Sequence, residues 1–128
     1  MLSDARSHAA LPASDLARAR RFYEEVLGLV PARVAPGGVF YAAAEGTQVF
    51  VFPSSGLASG SHTQVGFSVT DIEAEVADLR RRGVVFESYD FPGFDRDSSI
   101  ASFPANRSAW FKDSEGNLLG IVQMLDAG

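Results

Sequence analysis

The stretch "SHAALPASDLARARRFYEEVLGL", Ser7 to Leu29, returns in altered form as "HTQVGFSVTDIEAEVADLRRRGV", His62 to Val84. Both read as a short strand, an Asp, an amphipathic helix and a glycine. A chain that makes this statement twice is constrained to fold as two related modules. One strand–helix–strand unit alone cannot bury both its sheet face and its helix, whereas two side by side can. Two copies are too few for a solenoid, so the repeat is a duplicated module.

In the first unit His8 to Ala13 is a short strand. Ser14 or Asp15 then caps a helix, because a side-chain oxygen there accepts an otherwise unpaired backbone N–H. Leu16, Ala19, Phe22, Tyr23, Val26 and Leu27 recur at helical spacing, and Gly28 ends the helix. "VFYAAAEGTQVFVFP" follows as strand, Glu45-Gly46 turn and strand. In the second unit Gln64 to Val69 alternates as a half-buried strand and Thr70 or Asp71 caps the next helix. Ile72, Val76 and Leu79 point inward, and Gly83 stops that helix. Val84 to Phe86 starts another strand, Tyr89 to Ala105 is long and irregular, and "SAWFKDSEGNLLGIVQM" gives strand, Glu115-Gly116 turn and strand. Each half is thus a βαβββ module, 1–58 and 61–128, joined by the flexible "GLASGS". The expected class is α+β: a curved mixed sheet around a concave pocket, with helices outside.

Of the 128 residues, 46% are hydrophobic, 21% charged and 11% aromatic, which suits one globular domain with a real core and argues against disorder. No apolar run approaches the roughly 20 residues of a membrane helix, and "MLSDARSH" lacks the apolar segment of a secretory leader. Cysteine is absent, which removes disulfides, thiolate ligands and a cysteine nucleophile. The expected location is the cytoplasm. A net charge of −5 argues against a nucleic-acid partner and mildly favours cationic small molecules. The basic run Arg80-Arg81-Arg82 complements a helix C-terminus.

The two repeated stretches, with their D-L-x-x-x-x-x-F-Y-x-x-x-L-G-L pattern in the first, and "AWFKDSEGNLLGIVQ" near the end resemble the vicinal oxygen chelate superfamily. This is the glyoxalase, bleomycin-resistance and extradiol-dioxygenase group, and the resemblance covers nearly the whole chain. It implies a concavity in which catalytic members hold a divalent metal, with ligands from the first and last strand of each module. The repeat itself marks the matching places. His8 precedes Asp15 by the same interval as Gln64 precedes Asp71, and Phe50 follows Gly46 as Gly120 follows Gly116. Relatives with a metal carry His, Gln or Glu at these four positions. Here His8 is a good ligand as a neutral imidazole, Gln64 is a weak one, and Phe50 and Gly120 offer no donor. About three protein ligands are the norm for such a centre. Adding His62, which shares a strand face with Gln64, still leaves the set one short. The expectation is therefore no metal and no cofactor, with a divalent metal as the alternative.

Other chemistry has weaker footing. Ser54-Ser55 and Ser98-Ser99 lack a nucleophile elbow, and "APGGV" lacks the Lys-Ser/Thr of a phosphate loop. Glu24, Glu25, Glu73 and Glu75 read as solvated helix residues, and Glu45 and Glu115 as solvated turn residues.

Period-two alternation sends Val65, Phe67 and Val69 under the helices and Gln64, Gly66 and Ser68 into the cavity. Likewise Ala9, Leu11 and Ala13 oppose His8, Ala10 and Pro12. Phe50 shares a face with Phe52, and Gly120 with Leu118 and Val122, Gly120 leaving open space. The stretch "ESYDFPGFDRDSSIASFPANRSAW" adds Tyr89, Phe91, Phe94, Phe103 and Trp110 as a lid or pocket wall. Phe91 to Phe94 is its foremost ligand contact, and Asp90, Asp95 and Asp97 are at hand for a cation. In the other reading these rings only fix the loop to the sheet. The candidate ligand-binding set is His8, Phe40, Phe50, Phe52, Gln64, Phe91, Phe94, Phe103, Trp110 and Gly120.

The reading favoured by an apolar, aromatic pocket with few polar points is a metal-independent small-molecule-binding protein. It resembles the bleomycin-resistance branch, which implies an acidic homodimer sequestering an aromatic, often cationic antibiotic. The alternatives are an enzyme of the group (lyase, isomerase or dioxygenase) built on His8, and an interaction module with a vestigial pocket. No membrane partner is expected.

Overall fold

The two Asp caps are where the repeat places them. In the computed structural model, which describes residues 1–125, the Asp15 carboxylate accepts from the Arg18 N–H (3.0 Å) and that of Asp71 from the Ala74 N–H (3.1 Å). Helix α1 spans Leu16–Arg21 and runs on into a wide π-type turn, Phe22–Val26; α2 spans Ile72–Arg81. Gly28 and Gly83 end these helices with φ of 71° and 99°, a conformation cheap only for glycine.

Two mixed sheets carry the rest. The first has β1 (Ala9–Ala13), β2 (Val30–Ala35), β3 (Gly38–Ala42) and β4 (Gln48–Pro53) in the order β1-β4-β3-β2, with β1 parallel to β4. The second has β5 (Val65–Ser68), β6 (Phe94–Asp95), β7 (Ile100–Ser102), β8 (Asn106–Lys112) and β9 (Leu118–Met124) in the order β5-β9-β8-β7-β6, with β5 parallel to β9. The α+β class and the duplicated layout are as the sequence predicts. The sheet is divided in two, however, and β1 and β5 each pair on one side only.

Local structure departs from the sequence reading in two respects. Val30–Ala35, to which that reading assigns no element, is a strand. Val84 to Phe86 is not one: Phe86 alone bridges to Phe111. In its place the supposedly irregular loop supplies two, β6 and β7, which bring the second sheet to five strands and form a hairpin. Its turn is built by Asp95, which accepts from the Asp97 N–H and the Ser98 hydroxyl (both 3.0 Å), and by Ser99 in the left-handed region (φ 63°).

Alternation sorts the faces as expected. Leu11, Val49, Val51, Val39 and Tyr41 of the first sheet, Phe111, Leu119 and Ile121 of the second, Ala19 and Tyr23 before Gly28, and Ile72, Val76 and Leu79 of α2 form one continuous core. Val65, Phe67 and Val69 pack against it, while Gly66 and Ser68 are exposed. Each sheet is left with one face that no helix covers.

The modules are clasped through the β8–β9 turn. Asp113 is buried and accepts four hydrogen bonds: from Tyr23 Oη (2.6 Å), Asn117 Nδ2 (2.8 Å) and the N–H groups of Glu115 (2.8 Å) and Asn117 (2.9 Å). Asn117 Nδ2 also donates to the Pro12 carbonyl at 3.0 Å. Beside it Glu115 accepts from Ser14 Oγ, the Asp15 N–H and the Arg18 fork, the shortest bond being 2.7 Å. The expectation of a solvated turn carboxylate fits Glu45, which is exposed, but not Glu115, whose side chain is 1% exposed. Glu24, read as a solvated helix carboxylate, is also engaged, accepting from Arg20 and from the Tyr41 hydroxyl (both 2.8 Å).

The hydrogen-bonded Arg18 holds the Glu115 carboxyl down to about 2, from an ordinary 4.5. A carboxyl whose folded-state pKa is depressed contributes stability that is present above its unfolded pKa and lost as pH falls through the folded one. Wild type is therefore expected to lose stability between about pH 4.5 and 2 more steeply than Glu115→Gln. Urea midpoints across that range check this, and parallel curves would refute it.

At the equivalent junction Ala43 stands for Asp113 and Leu79 for Tyr23. No clasp forms there, and a cavity of about 270 Å³ lies between Ala43, Ala44, Phe67 and Leu79.

Candidate functional site

The uncovered face of the first sheet carries a ladder of rings. Register sets Ala10 beside Phe50, Pro12 beside Phe52, and Phe40 beside Phe50. The Phe40 and Phe50 rings stack at 4.3 Å between centroids, and Phe50 and Phe52 at 5.7 Å. His8, exposed just ahead of β1, meets Phe40 and Phe50 edge-on at 5.3 and 6.0 Å. Small residues make the room. A Cβ at Gly38 would lie 2.4 Å from the Val51 carbonyl oxygen and 2.8 Å from the Phe50 ring. A register irregularity between Pro31 and Arg33 aligns Arg33 with Phe40, and its guanidinium carbon lies 5.0 Å over that ring. Ala32, Arg33, Phe40 and Gln48 line a recess of about 280 Å³.

On the second sheet Gly66, Gly120 and Trp110 are in cross-strand register. The space that Gly120 was expected to open is filled: a Cβ there would meet Thr63 Cγ2 and the Trp110 ring, each at 3.3 Å. Trp110 Nε1 donates to Thr63 Oγ1 (3.1 Å). Tyr89 packs on Trp110 (5.5 Å), Phe91 (6.1 Å) and Phe94 (5.8 Å), and Phe91 stacks on Phe103 at 6.1 Å. The loop rings thus fix the loop to the sheet and also present a surface, with Phe103 38% exposed. His62, Thr63, Tyr89, Phe91, Trp110 and Leu118 line a recess of about 240 Å³.

The candidate residues therefore fall into two groups. His8, Phe40, Phe50 and Phe52 belong to the first sheet; Gln64, Phe91, Phe94, Phe103, Trp110 and Gly120 belong to the second. Among the described residues no ring of one group stacks on a ring of the other. Between the starts of β1 and β4 and strand β5 runs a cleft of about 710 Å³, lined by His8, Gln48, Val65, Gly66, Ser68 and Thr70. Gln64 Oε1 is buried without a hydrogen-bond partner. Sequence reasoning missed Gln48, although it precedes Phe50 by one strand period. It also missed Arg33, whose placement depends on a strand irregularity that leaves no mark in the pattern.

The sequence pattern of the Glyoxalase/Bleomycin resistance protein/Dioxygenase superfamily matches residues 6–121. The chain belongs to this superfamily. Solved structures of the superfamily's fold superpose over nearly the whole chain. TnmS3, an antibiotic binding protein from Streptomyces sp. CB03234, is 23% identical, with a TM-score of 0.72 over 95% of this chain and 98% of that one. The fosfomycin resistance protein FosX from Listeria monocytogenes is 16% identical, with a TM-score of 0.67 over 95% and 94%. Lactoylglutathione lyase from Agrobacterium tumefaciens is 21% identical, with a TM-score of 0.65 over 94% and 93%. At these identities the likeness shows the fold alone. No curated protein sequence matches the chain.

The superfamily's metal does not fit this donor set. Of the four matching positions, His8 packs edge-on against phenylalanines, Phe50 lies in the ladder, Gly120 is covered by Trp110, and only Gln64 adds an oxygen. Among the described residues no three His, Cys, Asp or Glu side chains are grouped so as to hold an ion.

Proposed function

We propose that this chain is a metal-independent binding protein that sequesters a planar aromatic molecule of antibiotic type in the cytoplasm. The observation that supports it is the Phe40–Phe50–Phe52 ladder, edged by His8, on a sheet face no helix covers. Half-buried rings on an uncovered sheet face can bind planar ligands by area burial and edge-on or offset packing. We further propose a homodimer. Each copy offers two ring-lined faces on separate sheets and an unpaired edge on β1 and on β5, so a second copy can set the second face of one chain against the ladder of the other.

Trp110 is the chain's single tryptophan and reports directly on the second face. Titration with planar polycyclic antibiotics is expected to quench it. Phe50→Ala and Phe91→Ala are each expected to raise Kd by about tenfold, roughly 1.4 kcal/mol, in a particle that sediments as a dimer. Loss on Phe91→Ala alone, or a ligand-binding monomer, would refute the shared site. His8→Ala is expected to shift affinity by a few fold only. A turnover that this substitution abolishes would favour the lyase, isomerase or dioxygenase reading instead.

A further inference from the structure

We infer that the aromatic ligand carries an acidic group, a carboxylate or acidic phenol, and that Arg33 is its counter-ion, with the Gln48 amide beside it. The inference rests on the aromatic-ligand reading above and names the chemistry of the ligand's polar end. A net charge of −5 would favour a cation, but a bound group feels its nearest neighbours, and exposed charges beyond about 8 Å are screened. Neither ring-lined recess has an acidic residue in its wall, and the one full charge among their lining residues is the positive charge of Arg33.

Arg33 is also unanswered. Arg18, Arg20, Arg81, Arg82, Arg96 and Arg107 each have a carboxylate within ion-pair distance. Among the described residues Arg33, like Arg6, Arg21 and Arg80, has none, and of these four it is the one in the wall of a ring-lined recess, its guanidinium carbon 5.0 Å over Phe40. The guanidinium carbon lies over the ring, and among the described residues none of its N–H groups donates a side-chain hydrogen bond, so its N–H fork has no partner within the chain. That fork matches a carboxylate bidentately. A planar acid lying along Phe40 and Phe50 would bring its carboxylate to this fork. Gln48 shares the recess with Arg33 and offers a neutral donor. An ammonium at the same place would meet a like charge with no carboxylate to offset it.

The test uses three probes of one shape: 2-naphthoate, 2-naphthamide and 2-naphthylmethylammonium, titrated calorimetrically into wild type, Arg33→Gln and Arg33→Lys. The naphthoate is expected to bind about tenfold more tightly than the amide, and the ammonium most weakly. Arg33→Gln should remove the naphthoate's advantage and leave the amide unchanged; Arg33→Lys should retain part of it. The advantage should also shrink as salt rises. Arg33 is exposed on a sheet edge, so both variants are expected to fold, which circular dichroism checks. Equal binding of the three probes, or preference for the ammonium, would overturn the charge assignment and leave the aromatic reading standing. Binding of none would overturn both.

Discussion

Asp113→Ala is expected to destabilise the protein by about 3–5 kcal/mol, a large share of the roughly 5–15 kcal/mol available to such a domain. The carboxylate accepts four hydrogen bonds, and the donors it would abandon have no water to turn to: Tyr23 and Asn117 are both 0% exposed. Each buried donor left unpaired costs about 1–3 kcal/mol. Asp113→Asn keeps one acceptor oxygen but turns an amide N–H₂ toward donors, so it should cost about half as much. Tyr23→Phe removes a single bond and should cost about 1 kcal/mol. In the double variant Asp113→Ala/Tyr23→Phe the losses should fall short of their sum, because both remove the same bond. Urea unfolding midpoints measure all four. An Asp113→Ala variant within 1 kcal/mol of wild type would show that the clasp carries no weight in the fold.

Gly38→Ala should be the next most damaging change, at about 2–4 kcal/mol and a fall in Tm on the order of 10 °C. Its φ of 147° already disfavours a side chain. The new methyl would stand 2.4 Å from the Val51 carbonyl oxygen, a backbone atom of the paired strand that cannot step aside. It would also press on the Phe50 ring at 2.8 Å, so the ladder should open and binding of any planar ligand weaken along with stability. Gly37→Ala is the control: nothing lies within 4 Å of a Cβ there, and it should be nearly neutral. Equal effects of the two substitutions would remove the case for close packing at Gly38.

The parts of this fold that depend on near neighbours were legible in the sequence. Asp15 and Asp71 cap helices because a carboxylate reaches an N–H three residues on. The alternation of Leu11 and Ala13 against Ala10, or of Phe67 against Gly66 and Ser68, follows from the strand period alone. The same period set Phe50 on one face with Phe52, whose rings do stack. What escaped depends on distant partners. Glu115 looks like any turn glutamate until folding brings Arg18 to it. Phe86 pairs with Phe111 by one bridge, too little to extend a strand from Val84. The division of the candidate rings between two sheets escaped for a further reason: equivalence within a repeat says which positions correspond, not which faces meet.

The two junctions between the modules are related by the repeat but differ in strength. One is tied by Asp113, Tyr23, Glu115 and Arg18; the other has Ala43, Leu79 and an unfilled space. A body fastened at one end and less tightly filled at the other yields first where it is less filled, so any opening between the modules is expected to be least at the clasped turn and greatest at the Ala43 end. The 710 Å³ cleft, whose lining includes both Ala43 and His8, lies on the unclasped side, so the asymmetry that anchors the chain also sets where the cleft would be expected to widen.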